Sequence, residues 1–480
     1  MEELTMRSVL MSMLLILSMV LVACGGGTQE PAAPAEEAPA EEAPAAEEPA
    51  AEEPAAEGDP EPATGPVAEF NVPLPEVFNA DAASAYSGAT LRFYGDAVGI
   101  GSDMDRAAAQ HFSDATGITI EVLPRPQDAT QYYSTIQRFF QAQSPEADVL
   151  MVDVIWPGAF APHLYDVTEV FAEEAGQHYE GIIENNTVDG KLTALPWFGD
   201  FGMLFYRTDL LEKYGYDGPP ATWDELEEIA RTVQEGEREE GNENFTGFVW
   251  QGAAYEGLTC DLLEWVYSHG GGTMIENGEV TINNPQAVQA LERAASWVGD
   301  ISPEGVVSYR EEDARNVFQG GNAMFMRNWP YAYAAGNSAD SPIQGMFDVA
   351  PLPTANDGEP AGTVGGWQLA VSEYSPNKEA GVEFVRFMAS PEMQKWRALV
   401  GSFVPTIPAV AEDPEVIEAM PFLENLADVV RVTRPSRETG EQYNEASTAM
   451  FQAANEALLG ATDAQTALDQ AAQRLQRIVR

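Results

Sequence analysis

Ala147-Asp148-Val149-Leu150-Met151-Val152-Asp153 is a compact apolar run that ends on an acid, the pattern of a buried parallel strand whose last side chain emerges at the sheet's carboxyl edge. Upstream, Leu91-Arg92-Phe93-Tyr94 and Ile118 to Leu123 are two further short strand-like runs. Between them, Met104, Ala107, Ala108 and Phe112 share one helical face, and Gly117 punctuates the turn. A second helical segment spans Tyr132 to Phe140. The result is a β-α-β-α-β unit. Right-handed crossovers bring the loops after Tyr94 and Val152 to one sheet edge, where open α/β folds bind ligands.

Downstream, Thr222-Trp223-Asp224-Glu225 fits a capping box, followed by the stripe Leu226, Ile229, Ala230 and Val233. Ser375-Pro376 opens another helix with Gly381, Phe384, Val385 and Met388 on one face, and Asp463 precedes a terminal helix lined by Leu468, Ala471, Ala472, Leu475 and Val479. These stripes are core signals. Two stretches are instead aromatic and aperiodic: Pro196 to Tyr206, and Phe325 to Tyr333 continuing to Trp367. Large apolar faces with polar handles suit the lining of a cleft.

The 480 residues carry 77 acids against 24 Lys plus Arg, a net charge of -53. That excludes nucleic acid and attraction to anionic lipid headgroups. Only four lysines are present, and the acid excess has the look of an adaptation to salt. Cys24 and Cys260 are the two cysteines, too few for a disulfide scaffold or a cysteine-based metal site. His111, His163, His178 and His269 are scattered without ligand spacing. No metal or cofactor is expected.

Residues 1–23 read as a signal peptide: Arg7 precedes an apolar run from Val9 to Ala23 that is shorter than the about 20 residues a membrane span needs. Leu21-Val22-Ala23-Cys24 resembles a bacterial lipoprotein box, which implies a diacylated Cys24 and a body held outside the cytoplasm at the membrane. Residues 24–66 follow as a tether; from Thr28 it is almost wholly Pro, Ala and Glu with no basic residue, a composition that stays disordered and extended.

Several motifs then coincide. Gly190-Lys191-Leu192-Thr193-Ala194-Leu195-Pro196-Trp197, Leu204-Phe205-Tyr206-Arg207-Thr208-Asp209-Leu210-Leu211, Phe318-Gln319-Gly320-Gly321-Asn322-Ala323-Met324-Phe325-Met326 and Gly365-Gly366-Trp367-Gln368-Leu369-Ala370-Val371 resemble extracellular solute-binding proteins of sugar ABC importers. The resemblance lies nearest the trehalose/maltose-binding branch and covers about residues 88 to 480. It implies a periplasmic-binding-protein-like α/β fold: two discontinuous lobes, a hinge and an interlobe cleft. The N-terminal lobe is expected over 88–196 and 370–432, and the C-terminal lobe over 200–366 and 436–480. The implied partners are a disaccharide or oligosaccharide and ABC importer permease subunits, with the chain a monomer.

Sugar recognition needs aromatic faces for ring C–H surfaces and planar acids or amides for paired hydroxyls. Trp329 and Trp367 head the aromatic candidates, with Trp156, Trp197, Tyr331 and Tyr333 behind them, and Gly365 comes with the Trp367 motif. Asp153 and Asp96 are expected at strand carboxyl ends. Asp200 either accepts from hydroxyls or holds the hinge; Arg327 and Arg434 either fork onto hydroxyls or fix a cleft acid. Paired acids of a glycosidase are conceivable, but the resembled family only binds, so the chain is not expected to be an enzyme. Two other readings stay open: a polyamine-like ligand, suited to acids without stacked indoles, and a lipid-anchored adhesin or scaffold, which needs an exposed aromatic patch.

Overall fold

The computed structural model describes residues 61–97, 99–355, 358–426 and 429–479. The expected signal peptide, Cys24 and most of the tether lie outside these residues.

Strands β1 (Thr90–Gly95), β2 (Thr119–Pro124) and β3 (Val149–Asp153) form a parallel set with β1 in the middle, Thr90 opposite Thr119 and Phe93 opposite Val149. Helix α1 (Gly99–Thr116) buries Met104, Ala107, Ala108 and Phe112, as the periodicity predicts. Helix α2 (Ala129–Ala142) starts where Asp128 Oδ1 accepts from the amides of Thr130 and Gln131, satisfying two orphan donors of the first turn. Its inner face is Tyr132, Tyr133, Ile136, Phe139 and Phe140.

Strand β4 (Leu195–Phe201) leads out of this sheet, and after Gly202 the chain enters a second one. That sheet comprises β5 (Met203–Arg207), β6 (Thr246–Val249), β7 (Ala323–Asn328) and β8 (Phe347–Ala350), in the order β8-β5-β7-β6. Strand β9 (Ala361–Val371) returns: Trp367 to Val371 pair antiparallel with β3, and Val364 to Leu369 pair with β4. Its first residues, Ala361 to Thr363, pair parallel with β10 (Val430–Val432). Three chain segments therefore run side by side between the two sheets. Their closeness demands glycine: a Cβ on Gly362 would stand 2.6 Å from the Gly202 carbonyl oxygen. Gly366, at φ +120°, would bring one equally near that of Phe198.

Each sheet has its own core. Leu91, Phe93, Phe112, Val149 and Trp197 pack with Phe384 and Phe387 of helix α6 (Lys378–Met388). Under the second sheet Trp223, Trp250, Trp265 and Trp297 meet edge to face or tilted and pack with Met450, Leu468 and Leu475 of the C-terminal helices. Truncating any of these indoles to Ala costs about 3–5 kcal/mol. The capping box at Thr222, which opens helix α3 (Trp223–Glu239), is present: Thr222 Oγ1 accepts from the Glu225 amide at 3.2 Å, and Glu225 Oε2 accepts from the Thr222 amide at 3.1 Å.

Packing divides the expected stretch 370–432. Residues up to Trp396, and Phe403, join the first core, whereas Ile407, Val410, Val416, Met420 and Phe422 pack with Met203, Phe205 and Phe347 of the second sheet, alongside Ala314 and Phe318. Residues before 88 also join the body. Trp396 meets Phe70 edge to face and donates from Nε1 to the Val72 carbonyl, and the Ala63 amide donates to the Val122 carbonyl on edge strand β2. The last residues of the expected tether are thus pinned to the first sheet. The aromatic stretch Pro196 to Tyr206 is strand rather than cleft loop for most of its length, with Trp197, Phe198 and Phe205 buried.

Candidate functional site

The three parallel strands deliver side chains to one cavity from their carboxyl ends: Asp96 after β1, Arg125 after β2 and Asp153 closing β3. Opposite them stand Tyr255 and Glu256 at the start of helix α4 (Glu256–Ser268), Glu311 and Glu312 at the start of helix α5 (Glu311–Gln319), and Trp329 and Tyr331 just past β7. Asp200, Gly365, Gly366 and Trp367 form the floor from the crossing strands, with Arg434 beside them. The cavity's volume is about 130 Å³, roughly ten times what one ordered water needs by the same measure.

Both foremost candidates face this space, and each carries a guanidinium on its ring. Arg125 lies 4.5 Å from the ring centre of Trp367, and Arg327 lies 4.1 Å from that of Trp329. Trp329 Nε1 donates to Glu311 Oε1 at 3.4 Å, and Tyr331 Oη donates to Glu312 Oε1 at 2.6 Å. Burial and the neighbouring Glu312 raise the Tyr331 phenol well above its ordinary range, so it remains a donor. Gly365 is present for room: a Cβ there would stand 3.1 Å from both Asp200 Cβ and Trp329 Cζ3.

Arg434 takes the bland role of the two open to it. Its guanidinium donates to Glu256 Oε1 at 2.8 Å, Asp153 Oδ1 at 3.2 Å and the Val364 carbonyl at 3.2 Å. One side chain so joins the end of the first sheet, a helix of the second body and a crossing strand. Burial raises Asp153 and Glu256, and Arg434 pulls both back. Two direct contacts add to this bridge across the cavity: Arg310 to Asp128 at 3.1 Å, and the Glu256 amide to Thr130 Oγ1 at 3.3 Å.

Four expected site residues lie elsewhere. Trp197 is fully buried in the first core, packed on Phe93 and under Arg397; alternation along β4 sends it to the face opposite the cavity. Trp156 is 2% exposed and meets Trp367 at 90°, a buttress behind that indole rather than a wall. Arg327, 1% exposed, is spent on Asp261 at 3.0 Å and Glu264 at 2.6 Å. Tyr333 packs on Phe347 and Phe422.

Arg125, Tyr255, Glu256, Arg310, Glu311 and Glu312 line the cavity without having been singled out. Arg125 was within reach, because the rule that picks Asp96 and Asp153 after their strands applies equally after β2. The others come from helix starts brought in by long-range packing. Among the described residues no group of three or more His, Cys, Asp or Glu side chains could hold a metal ion, and no helix is long and apolar enough to cross a membrane.

The arrangement can enclose a small polar molecule between two indoles and a ring of acids and arginines. The sequence family described as bacterial extracellular solute-binding protein matches residues 95–395. A probable ABC transporter-binding protein of Deinococcus radiodurans is 46% identical over 376 residues, covering 78% of this chain and 89% of its own. Maltose-bound MalE3 of T. maritima superposes with a TM-score of 0.77 at 39% identity, over 81% of this chain and 100% of its own. The GacH receptor of Streptomyces glaucescens shares the fold, with a TM-score of 0.71 at 22% identity over 82% of this chain and 98% of its own. With a match across well over half its length and a cavity built between two α/β bodies, this chain belongs to the bacterial extracellular solute-binding protein family.

Proposed function

We propose that the chain captures a disaccharide or oligosaccharide of the trehalose/maltose type outside the cytoplasmic membrane and hands it to an ABC importer permease, held nearby by lipidated Cys24. The carrying observation is that Trp329 and Trp367, from different bodies, border one cavity with acids and glycines between them. Indole faces cover sugar C–H surfaces, and carboxylates take hydroxyl pairs. Likeness to a maltose-bound protein at 39% identity supports the same class of ligand, and the Deinococcus relative's name supports the transporter partner.

Closure follows from geometry. A ligand touching both indoles gains contacts in the closed form that the open form lacks, and so shifts the equilibrium by that difference. Arg310–Asp128 and the Arg434 bridge would add ligand-independent contacts to the same state. The polyamine reading fares worse, since Asp96, Asp153, Glu256 and Glu312 already face Arg125, Arg434 or Arg315. The adhesin reading wants outward aromatics, whereas these point inward.

Calorimetry of the full chain with maltose, trehalose and spermidine tests the proposal. Saturable heat with a sugar is expected. Binding of spermidine alone, or of none of the three, overturns the carbohydrate assignment.

A further inference from the structure

Asp200 is the cavity acid that nothing accounts for. It lies in β4 opposite Gly365 of β9, on the cavity floor next to the rim of Trp329. Its Oδ1 is shut off from solvent and has no hydrogen-bond partner among the described residues. A buried polar atom of this kind costs free energy unless something completes it.

The charged groups around it are already matched. From the first body, Asp96 faces Arg125 at 3.2 Å and Asp153 faces Arg434 at 3.2 Å. From the second, Arg327 is held by Asp261 and Glu264, Glu312 pairs with Arg315, and Glu311 accepts from Trp329 Nε1. Arg397, the remaining nearby cation, pairs with Asp105 through Nη1 at 2.7 Å, while its Nε and Nη2 have no hydrogen-bond partner among the described residues. Each nearby guanidinium thus has an acid of its own, so Arg327 and Arg397 only partly offset the neighbouring carboxylates, and ionising Asp200 would set a third negative charge beside Asp96 and Asp153. In keeping with that geometry, burial first, then Asp96 and Asp153, push its carboxyl well above the usual range.

We infer that Asp200 serves the cavity as a neutral carboxylic acid, its O–H donating to an acceptor oxygen of the ligand, and that it thereby selects an uncharged oxygen-rich ligand over an ammonium. The inference rests on the carbohydrate reading for the ligand, not for the state of the acid. Ring and glycosidic oxygens of a sugar only accept, so the surrounding carboxylates cannot address them, whereas a protonated acid can. An amine ligand would demand the opposite state, since an ammonium draws the proton off the acid and pairs with the carboxylate.

Infrared difference spectra of the full chain, wild type against D200N, test the acid directly at pH 7, before and after maltose. A protonated-carboxyl carbonyl band lost in D200N, and shifted by maltose, is expected. Calorimetry with maltose should give D200N, which keeps a neutral donor, within about threefold of wild type, and D200L weaker by about tenfold or more. Should D200N fold poorly, titrating the wild-type band replaces it: band and maltose affinity should fall together as pH rises. Absence of the band at pH 7 overturns the inference, as does affinity that climbs with pH or spermidine binding abolished by D200N. A band present without binding of maltose or trehalose sinks the carbohydrate reading and leaves the neutral acid standing.

Discussion

The two indoles of the cavity are mounted on arginines in opposite ways. Behind Trp367, Arg125 and its partner Asp96 have side chains 12% and 15% exposed. Behind Trp329, Arg327 is 1% exposed and fixed by Asp261 and Glu264, themselves 0% and 1% exposed. Glu264 also accepts from the Thr363 amide at 2.9 Å, tying this cluster to a crossing strand. The same stacking contact is thus an adjustable fitting at the mouth on one side and part of the core on the other. Water can replace what Arg125 offers; nothing can replace Arg327.

Breaking the deep mount should have the largest effect. R327M strands two buried acids, and losing one partner of a buried ion pair typically costs about 3–5 kcal/mol; urea unfolding should show that loss even without ligand. If R327M is as stable as wild type, the two mounts are energetically alike and the contrast is void. Burial already raises Asp261 well above its usual range against the pull of Arg327, and removing the guanidinium raises it further.

The first body has a deep pair too, Arg397 with Asp105, whose Oδ2 also accepts from the Asp96 amide at 2.7 Å. Burial dominates there, Arg397 opposing it, and the Asp105 carboxyl is pushed up from 3.8 to about 6. The folded state therefore holds that proton more tightly than the unfolded chain. Its stabilising contribution is complete below pH 3.8 and lost as pH rises through about 6, a swing of about 3 kcal/mol. Measured as wild type minus D105N, the stability difference should fall between about pH 4 and 6. A flat difference would mean Arg397 fully offsets the burial.

At the cavity face the two indoles should converge. W329A is expected to weaken maltose binding by more than about tenfold with the fold retained, and W367A by a similar factor. Calorimetry beside thermal unfolding separates the effects. Unchanged affinity in W329A removes it from the site. A drop confined to W367A would confine recognition to the first body.

How far sequence reached depends on the range of the cause. The β-α-β-α-β unit, the Thr222 box and the Asp463 cap are set within a few residues, and the structure has them where periodicity and capping place them. Trp329, Trp367 and Asp153 follow from strand ends and motif resemblance, and they line the cavity. Trp197 misled because a strand residue's face depends on register with β9, whose pairing with β4 shifts between Trp367 and Gln368. Arg327 misled because its partners lie on α4, more than 60 residues upstream. Glu311 and Glu256 gave no local signal, since solvated first-turn acids read the same way.

Breaking the shallow mount should do least. R125M removes the guanidinium from the Trp367 face and frees Asp96, but both groups reach solvent, so stability should fall by about 1 kcal/mol or less. Asp96 keeps the amide of Ala97 at 2.8 Å as a donor, and Trp367 keeps Tyr132 and Trp156 against it. Maltose affinity should drop only about two- to fivefold, more at low salt than at high, because salt screens the part of this half-buried pair that meets solvent. The salt series is the informative measurement. A loss as large as that of W367A, and indifferent to salt, would mean Arg125 touches the ligand itself, and the mouth of the cavity would then take part in recognition no less than its depth.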